Sequence, residues 1–554
     1  MDRLKHVFVL TVLIVLVLVF FILELSREQA KIIENLKSLS PLFLGITFTV
    51  LVLLLIIGFK DIFLPFKSLK KNQWMLVVPV LLFAFVLSFF VSPKTHRLYF
   101  DENIYMHIGQ NIAQVNKAQM VNFGEIRYGE LIVNQGEYNK QPNGYPFFLS
   151  LFYRIFGHGE NLSFLINNLV FVLSTFVVFL LGYLFFLSFK TGLYAALIFA
   201  VIPQNILWHN TTAVEPSNTL FLALTVLLFL IYLSSKKSLL FYLSLVSACF
   251  VAQFRIESVL IFPLLLIFLL IKNPQSLKNR NLYFVIPLVL FLLLPHIVHV
   301  FSFQGHAWGA DQAKYSLSYL GLNLKANGLF FLNNKDFPVL LTAFLLIGFL
   351  FKGAFREKIK LLIWLLLFWG VFLFFYAGNY YYGADIRFVL MTFPPLSLLA
   401  AFGFDRADKF VKNKTRKDYP LALVLIFIAF LSFAPRARTV GQEAWAARAD
   451  HKYARSMVEY IPEDGIVFTH NPNMFLFWGK SAAQASLLAG YDQIGIDNLK
   501  NNFRGGIYFH FNFWCNVSDP LQKSFCRNIL EKFPHQEIVH FQERDYTYIL
   551  YKLD

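Results

Sequence analysis

Long apolar runs, each broken by a short polar stretch, recur along most of this chain. They fall at 7–24, 42–58, 74–92, 163–188, 193–207, 217–234, 239–253, 257–271, 282–301, 336–351, 361–377, 387–404 and 420–434. A helix needs about 20 mostly apolar residues to cross a bilayer core. The pattern therefore predicts a polytopic α-helical membrane protein of about 13 spans. The runs at 193–207 and 239–253 are short enough to be re-entrant or deeply buried instead. The first run follows Lys5 with no small-residue cleavage site behind it, so the expectation is a retained anchor.

The loops between runs give an internal test of the count. With a cytoplasmic N-terminus, the inside loops carry Lys60, Lys67, Lys70 and Lys71, then Lys190, then Lys236 and Lys237, then Lys272, Lys278 and Arg280. Lys352, Arg356, Lys358 and Lys360 follow, and then the basic stretch from Arg406 to Lys417. Every inside loop is basic, as the positive-inside rule requires, and removing one span would invert all that follow. On this topology the loops at 93–162 and 302–335 and the C-terminal segment lie outside.

From about residue 436 the pattern changes. Short β-type runs at 465–469, 506–509 and 546–551 alternate with helical stretches such as 443–460. This predicts a small extracytoplasmic α/β domain over 436–554 behind a membrane domain over 1–435. Within the 93–162 loop, 101–115 reads as a helix. The aromatic run from Tyr145 to Phe156 reads as an interfacial helix.

Composition agrees: of 554 residues, 57% are hydrophobic, 15% are charged and 66 are Phe, which excludes an ordinary soluble globule. The net charge of +16 resides mostly in short loops, where it sets topology and meets anionic membrane lipids, and it does not point to nucleic acid. Cys249, Cys515 and Cys526 have no metal-site spacing, although Cys515 and Cys526 are free to pair in an oxidising compartment.

The polar motifs all fall on the outer side. Asp101-Glu102-Asn103-Ile104-Tyr105 sets two carboxylates at a membrane surface. One suits a general base and the other a cation or sugar contact; the competing reading is a solvated helix N-terminus. Lys140, in the Pro-Gly turn before Tyr145, suits a lipid phosphate or simple snorkelling. Glu215-Pro216 opens a span. Arg255 and Glu257, between two apolar runs, need each other or a ligand. Tyr382 and Arg387 precede the Pro394-Pro395 span, and His296, His299 and His306 lack a clear carboxylate partner for a metal.

These motifs, in this order over roughly 75–480, resemble the membrane-embedded GT-C glycosyltransferases, in the branch of the aminoarabinose transferases of lipid A and the protein O-mannosyltransferases. Asp101-Glu102-x-x-Tyr105 is similar to that family's outer-loop acidic motif. Lys140-x-Pro142 is similar to its Lys-Pro-Pro segment, with Asn143 in place of the second Pro. Glu215-Pro216, Arg255-x-Glu257, Arg387-Phe388 to Pro394-Pro395 and the Tyr460 to Asn471-Pro472 stretch have counterparts too. The resemblance implies sugar transfer from a polyprenyl-phosphate donor to a lipid, glycan or protein acceptor at the outer face of the plasma membrane. It assigns Asp101 as catalytic base, assisted by Glu102, and Lys140, Arg255 and Arg387 as phosphate ligands. Tyr105, Tyr145, Glu215, Glu257 and Tyr382 then position substrate, and a divalent cation is the one cofactor to weigh. The alternatives are a transporter or flippase of a lipid-linked substrate, and a non-catalytic scaffold. Nearly apolar span interiors disfavour transport.

Overall fold

The computed structural model describes residues 12–554 except 13–14, 16–18, 20, 24, 122–124, 128–129, 133–135, 273, 276–283, 304–312, 382–384, 418–419, 444 and 518. Most of the first apolar run, together with Lys278, Arg280, His306 and Tyr382, lies outside the described residues.

The described chain is mostly helical. Six helices are long and apolar enough to cross a membrane: Gln29–Phe66, Lys71–Val91, Glu160–Phe186, Glu215–Ser235, Asp385–Thr415 and Leu421–Gln442. A seventh is counted if the bent pair Val285–Leu292 and Leu294–Ser302 is one span, broken by 60°. Pro295 in the first turn of the second half lacks the N–H that would have continued the ladder.

Counting every apolar run as a full span exceeds what these lengths show. The runs at 193–207 and 239–253 form the short helices Phe189–Val201 and Ser238–Ala252. The first is buried from Tyr194 to its end and the second from Leu243 to its end. Their continuous hydrophobicity reflects burial in protein, which periodicity cannot distinguish from burial in lipid.

The chain forms two compact units. One comprises 1–94, 140–145 and 164–441; the other comprises 95–139, 146–163 and 442–554. The second unit contains a five-stranded mixed sheet. Its strands β3 (Ile466–Thr469), β4 (Ser481–Gln484), β5 (Ile507–Phe511), β6 (His535–Glu543) and β7 (Tyr546–Leu553) lie in the order β4-β3-β5-β7-β6. The short hairpin β1 (Glu125–Arg127) and β2 (Glu130–Ile132) belongs to the same unit. β3 runs parallel to β4 and β5, and β7 antiparallel to β5 and β6.

Alternation along the strands feeds two cores. Ile466, Phe468, Ile507 and Phe509 face the layer holding Ile496, Leu499 and Ile529. Val467, Tyr508, Tyr548 and Leu550 face the layer holding Ala449, Ala454 and Met457. A disulfide joins Cys515 to Cys526 in the first of these layers, with Cα atoms 5.5 Å apart.

Candidate functional site

In the first unit the polar residues before the Glu215–Ser235 helix are buried and held from one side. Asn167 donates to the carbonyls of Thr211 and Ala213 at 2.8 and 3.0 Å and to the Tyr145 hydroxyl at 3.2 Å. Asn168 donates to the His209 carbonyl at 2.8 Å. Two adjacent amides on the Glu160–Phe186 helix thus satisfy a loop that would otherwise bury unpaired carbonyls.

That loop delivers Glu215, fully buried, to a charged cluster. Glu215 Oε1 accepts from Arg255 Nη1 and lies 3.1 Å from Arg387 Nε, and Arg255 Nε donates to Glu257. The two guanidinium carbons lie 4.8 and 5.2 Å from the centroid of the Phe388 ring. Ser258 donates to Asn218 at 2.8 Å, tying the turn after Arg255 to the Glu215 helix. Glu215 Oε2 has no hydrogen-bond partner among the described residues. Two guanidinium groups sharing one buried carboxylate are well suited to an anion, because arginine's planar fork matches phosphate and is weakly hydrated.

Lys140 and Tyr145 belong to the same unit. The Gly144 N–H donates to the Gln253 carbonyl at 2.8 Å, and His299 donates to the Lys140 carbonyl at 3.1 Å. A Cβ on Gly144 would stand 2.5 Å from that Gln253 oxygen, so only glycine allows this approach. Asn143, where the resembling family has its second Pro, donates to Ser40 at 3.2 Å. His299 is thus engaged with a backbone carbonyl, and its ring lies 6.0 Å from that of His296.

Two residues that sequence reasoning passed over join this side. Partial burial and the neighbouring Lys140 charge pull the Lys314 ammonium below the usual lysine range. Partial burial and the Glu257 carboxylate push the Tyr315 phenol up, against the pull of Arg255, while about half of the side chain stays exposed. The segment is fixed by Ser316 N–H to Phe374 O and Tyr376 N–H to Lys314 O, both 2.9 Å. A Lys-Tyr pair in a loop carries no motif; only its approach to Lys140 and Glu257, distant in sequence, reveals it.

The second unit holds Asp101, Glu102 and Tyr105, in the first turns of the Asp101–Val115 helix. That helix has the bounds expected from the sequence. The two adjacent carboxylates have different environments. Glu102 is fully buried and accepts from His96 Nδ1 at 2.9 Å, Arg97 N at 2.8 Å and Leu98 N at 2.9 Å. Burial alone would raise its pKa, but the His96 charge and these hydrogen bonds hold the carboxyl down to about 2. Asp101 is only half-buried, and Tyr105 is buried. Asn471 donates to the Tyr99 carbonyl at 2.8 Å. Asp450, raised by burial to about 7, accepts from Phe513 N at 3.2 Å. The acidic motif is thus braced by residues from the far end of the chain. Tyr382, also expected at the site, lies outside the described residues.

The arrangement of elements has known counterparts. ArnT from Cupriavidus metallidurans, solved with undecaprenyl phosphate, superposes with a TM-score of 0.52 at 12% identity, over 87% of this chain and 98% of that one. The oligosaccharyltransferase AglB from Archaeoglobus fulgidus, solved with an inhibitory peptide and a dolichol-phosphate, gives 0.51 at 11% identity, over 87% and 74%. Residues 140–299 match the family model of dolichyl-phosphate-mannose-protein mannosyltransferases.

The fold is that of the GT-C glycosyltransferases.

No curated protein sequence matches the chain. The apolar helices, six of them long enough to cross a membrane among the described residues, support an integral membrane protein. The matched segment contains Lys140, Tyr145, Glu215, Arg255 and Glu257.

Proposed function

We propose that this protein transfers a sugar from a polyprenyl-phosphate donor to an acceptor hydroxyl at the extracytoplasmic face of the membrane. The observation that carries the reading is the buried pairing of Arg255 and Arg387 on Glu215, with Glu215 and Arg255 inside the segment that the mannosyltransferase family model matches. The leaving group of such a reaction is a lipid phosphate, on which negative charge builds as the glycosidic bond breaks. Arg255, Arg387 and Lys140 stabilise that charge, and Glu215 and Glu257 hold the guanidinium groups in place. Tyr145 supports the turn that carries Lys140.

Asp101 acts as general base. It takes the acceptor's proton as the hydroxyl oxygen bonds to the anomeric carbon, and the phosphate leaves with the electron pair of the broken bond. Attack opposite the leaving group inverts the anomeric centre. Tyr105 positions substrate beside Asp101, while Glu102 shapes the backbone under it. Undecaprenyl phosphate in ArnT and dolichol-phosphate in AglB favour a lipid phosphate as the shared ligand class. The basic inside loops and the Cys515–Cys526 disulfide both favour an extracytoplasmic second unit, since structural disulfides persist in oxidising compartments.

The test is turnover by purified protein in lipid nanodiscs, supplied with a panel of labelled polyprenyl-phosphate sugars. Donor-dependent release of polyprenyl phosphate is expected in the wild type. Asp101→Asn should lower it by about 10³-fold or more while the donor still binds. Arg255→Ala should weaken donor binding. Full activity in Asp101→Asn would remove the base assignment, and no turnover with any donor would remove the reaction class.

A further inference from the structure

Among the described residues, His96, Glu160 and His451 bring their donor atoms together, all within 4.8 Å of one another. All three belong to the second unit, although they come from widely separated sequence. His96 precedes the Asp101–Val115 helix, Glu160 opens the Glu160–Phe186 helix, and His451 is carried by the Trp445–Met457 helix. Two histidines and a glutamate are a common ligand set for zinc and related divalent ions, and the set leaves a position open.

The geometry around the three is that of oriented ligands. His96 Nδ1 is occupied by Glu102, so the Nε2 edge of that ring turns towards Glu160 Oε1, 4.0 Å away. His451 Nε2 lies 2.6 Å from the same oxygen. The two imidazole centroids are only 4.1 Å apart. Trp478 Nε1 donates to Glu160 Oε1 at 2.9 Å and fixes that carboxylate from the side. Glu102 behind His96 is itself fixed by two backbone N–H groups, which is the carboxylate–histidine–metal order that orients ligands in metal sites.

Two carboxylates, Glu102 and Glu160, stand against the two imidazoles in a mostly buried place. A divalent ion between the rings and Glu160 turns the close approach of the three donor atoms into bonds and balances the carboxylate charge. Tetrahedral zinc with bonds of about 2.0–2.1 Å needs ligand atoms about 3.3 Å apart, so shifts of about 1 Å suffice. An entry path exists: a cavity of 390 Å³ beside Glu160 is lined by His158, Arg455, Phe477 and Trp478.

We propose that His96, Glu160 and His451 form a divalent-metal site, zinc by the chemistry of its donors, with Glu102 orienting His96. The ion joins the segment leading into Asp101 to the C-terminal residues of the same unit. It fixes the backbone beneath the acidic motif and takes no part in transfer. The assignment does not depend on the transferase reading, because metal content is measured without turnover.

The test uses the full-length protein in nanodiscs, stripped with a chelator and equilibrated with Zn²⁺ alone. Elemental analysis is expected to find zinc equimolar with protein, and Co²⁺ in its place should give visible d–d absorption typical of a low-coordinate nitrogen–oxygen site. Zinc should raise the melting temperature by several degrees, and His451→Asn and Glu160→Gln should lose both the metal and the shift. Zinc at the buffer background in the wild type, or full zinc retained in both variants, would overturn the site in favour of a hydrogen-bonded His–Glu–His cluster. Should either variant fail to fold, the Co²⁺ spectrum of the wild type decides alone.

Discussion

Asp101 and Glu102 are neighbours in sequence, yet packing gives them different tasks. Glu102 is enclosed, and its oxygens are engaged by His96, Arg97 and Leu98. Removing the side chain leaves those buried donors unmet, each costing about 1–3 kcal/mol. Glu102→Ala should therefore lower stability by about 3 kcal/mol or more and reduce folded yield, as read by thermal unfolding in nanodiscs. Asp101, at the half-buried start of the helix, should tolerate Asn with little change in melting temperature. A melting temperature lowered equally by both changes would contradict the division of labour. The sequence showed that a carboxylate pair was present, but adjacency alone could not say which member the fold encloses.

Between elements, a close approach lies where the Val339–Leu350 helix crosses the Asp385–Thr415 span. Gly348 faces the backbone of Leu399 and Gly403, and Gly403 faces the backbone of Phe344 and Gly348. Small residues let two helices approach where neither gains from the hydrophobic effect in lipid. A methyl at either position meets main chain, which cannot move aside as a side chain would. Gly403→Ala is expected to destabilise by about 1–3 kcal/mol and Gly403→Leu by more, measured by thermal unfolding. Unchanged stability for Gly403→Leu would mean that the crossing is looser than described. The 385–415 span belongs at the centre of its unit, with 94% of its apolar window buried, against 28% for Gln29–Phe66.

For the whole molecule, the proposed sidedness draws on the expected alternation of basic loops and on the Cys515–Cys526 disulfide. An outward-active reporter enzyme fused after Asp554 should be active in cells, and one fused in the Arg406–Lys417 loop should be silent. The opposite result would invert the topology. Reducing the disulfide, which spans 11 residues, should destabilise the second unit by about 2–3 kcal/mol, seen as faster proteolysis within 442–554.

Element type was legible wherever one periodicity dominated a segment. The Asp101–Val115 helix, the spans near 160–186 and 215–235, and strands β3, β5 and β7 stand where the residue pattern put them. β4, with the sequence Ser-Ala-Ala-Gln, and β6, beginning His-Gln-Glu, did not announce themselves. Alanine and polar residues have little β preference, and both strands exist because an established neighbour pairs with them. The order of motifs along the chain was likewise enough to reveal the GT-C resemblance, because fold families preserve sequential order. What the sequence could not decide is proximity. Glu215, Arg255 and Arg387 form one charge cluster, and His96, Glu160 and His451 another, across long separations. Local propensities act over a few residues, whereas long-range convergence depends on how the elements pack. Only the tertiary structure contains that information.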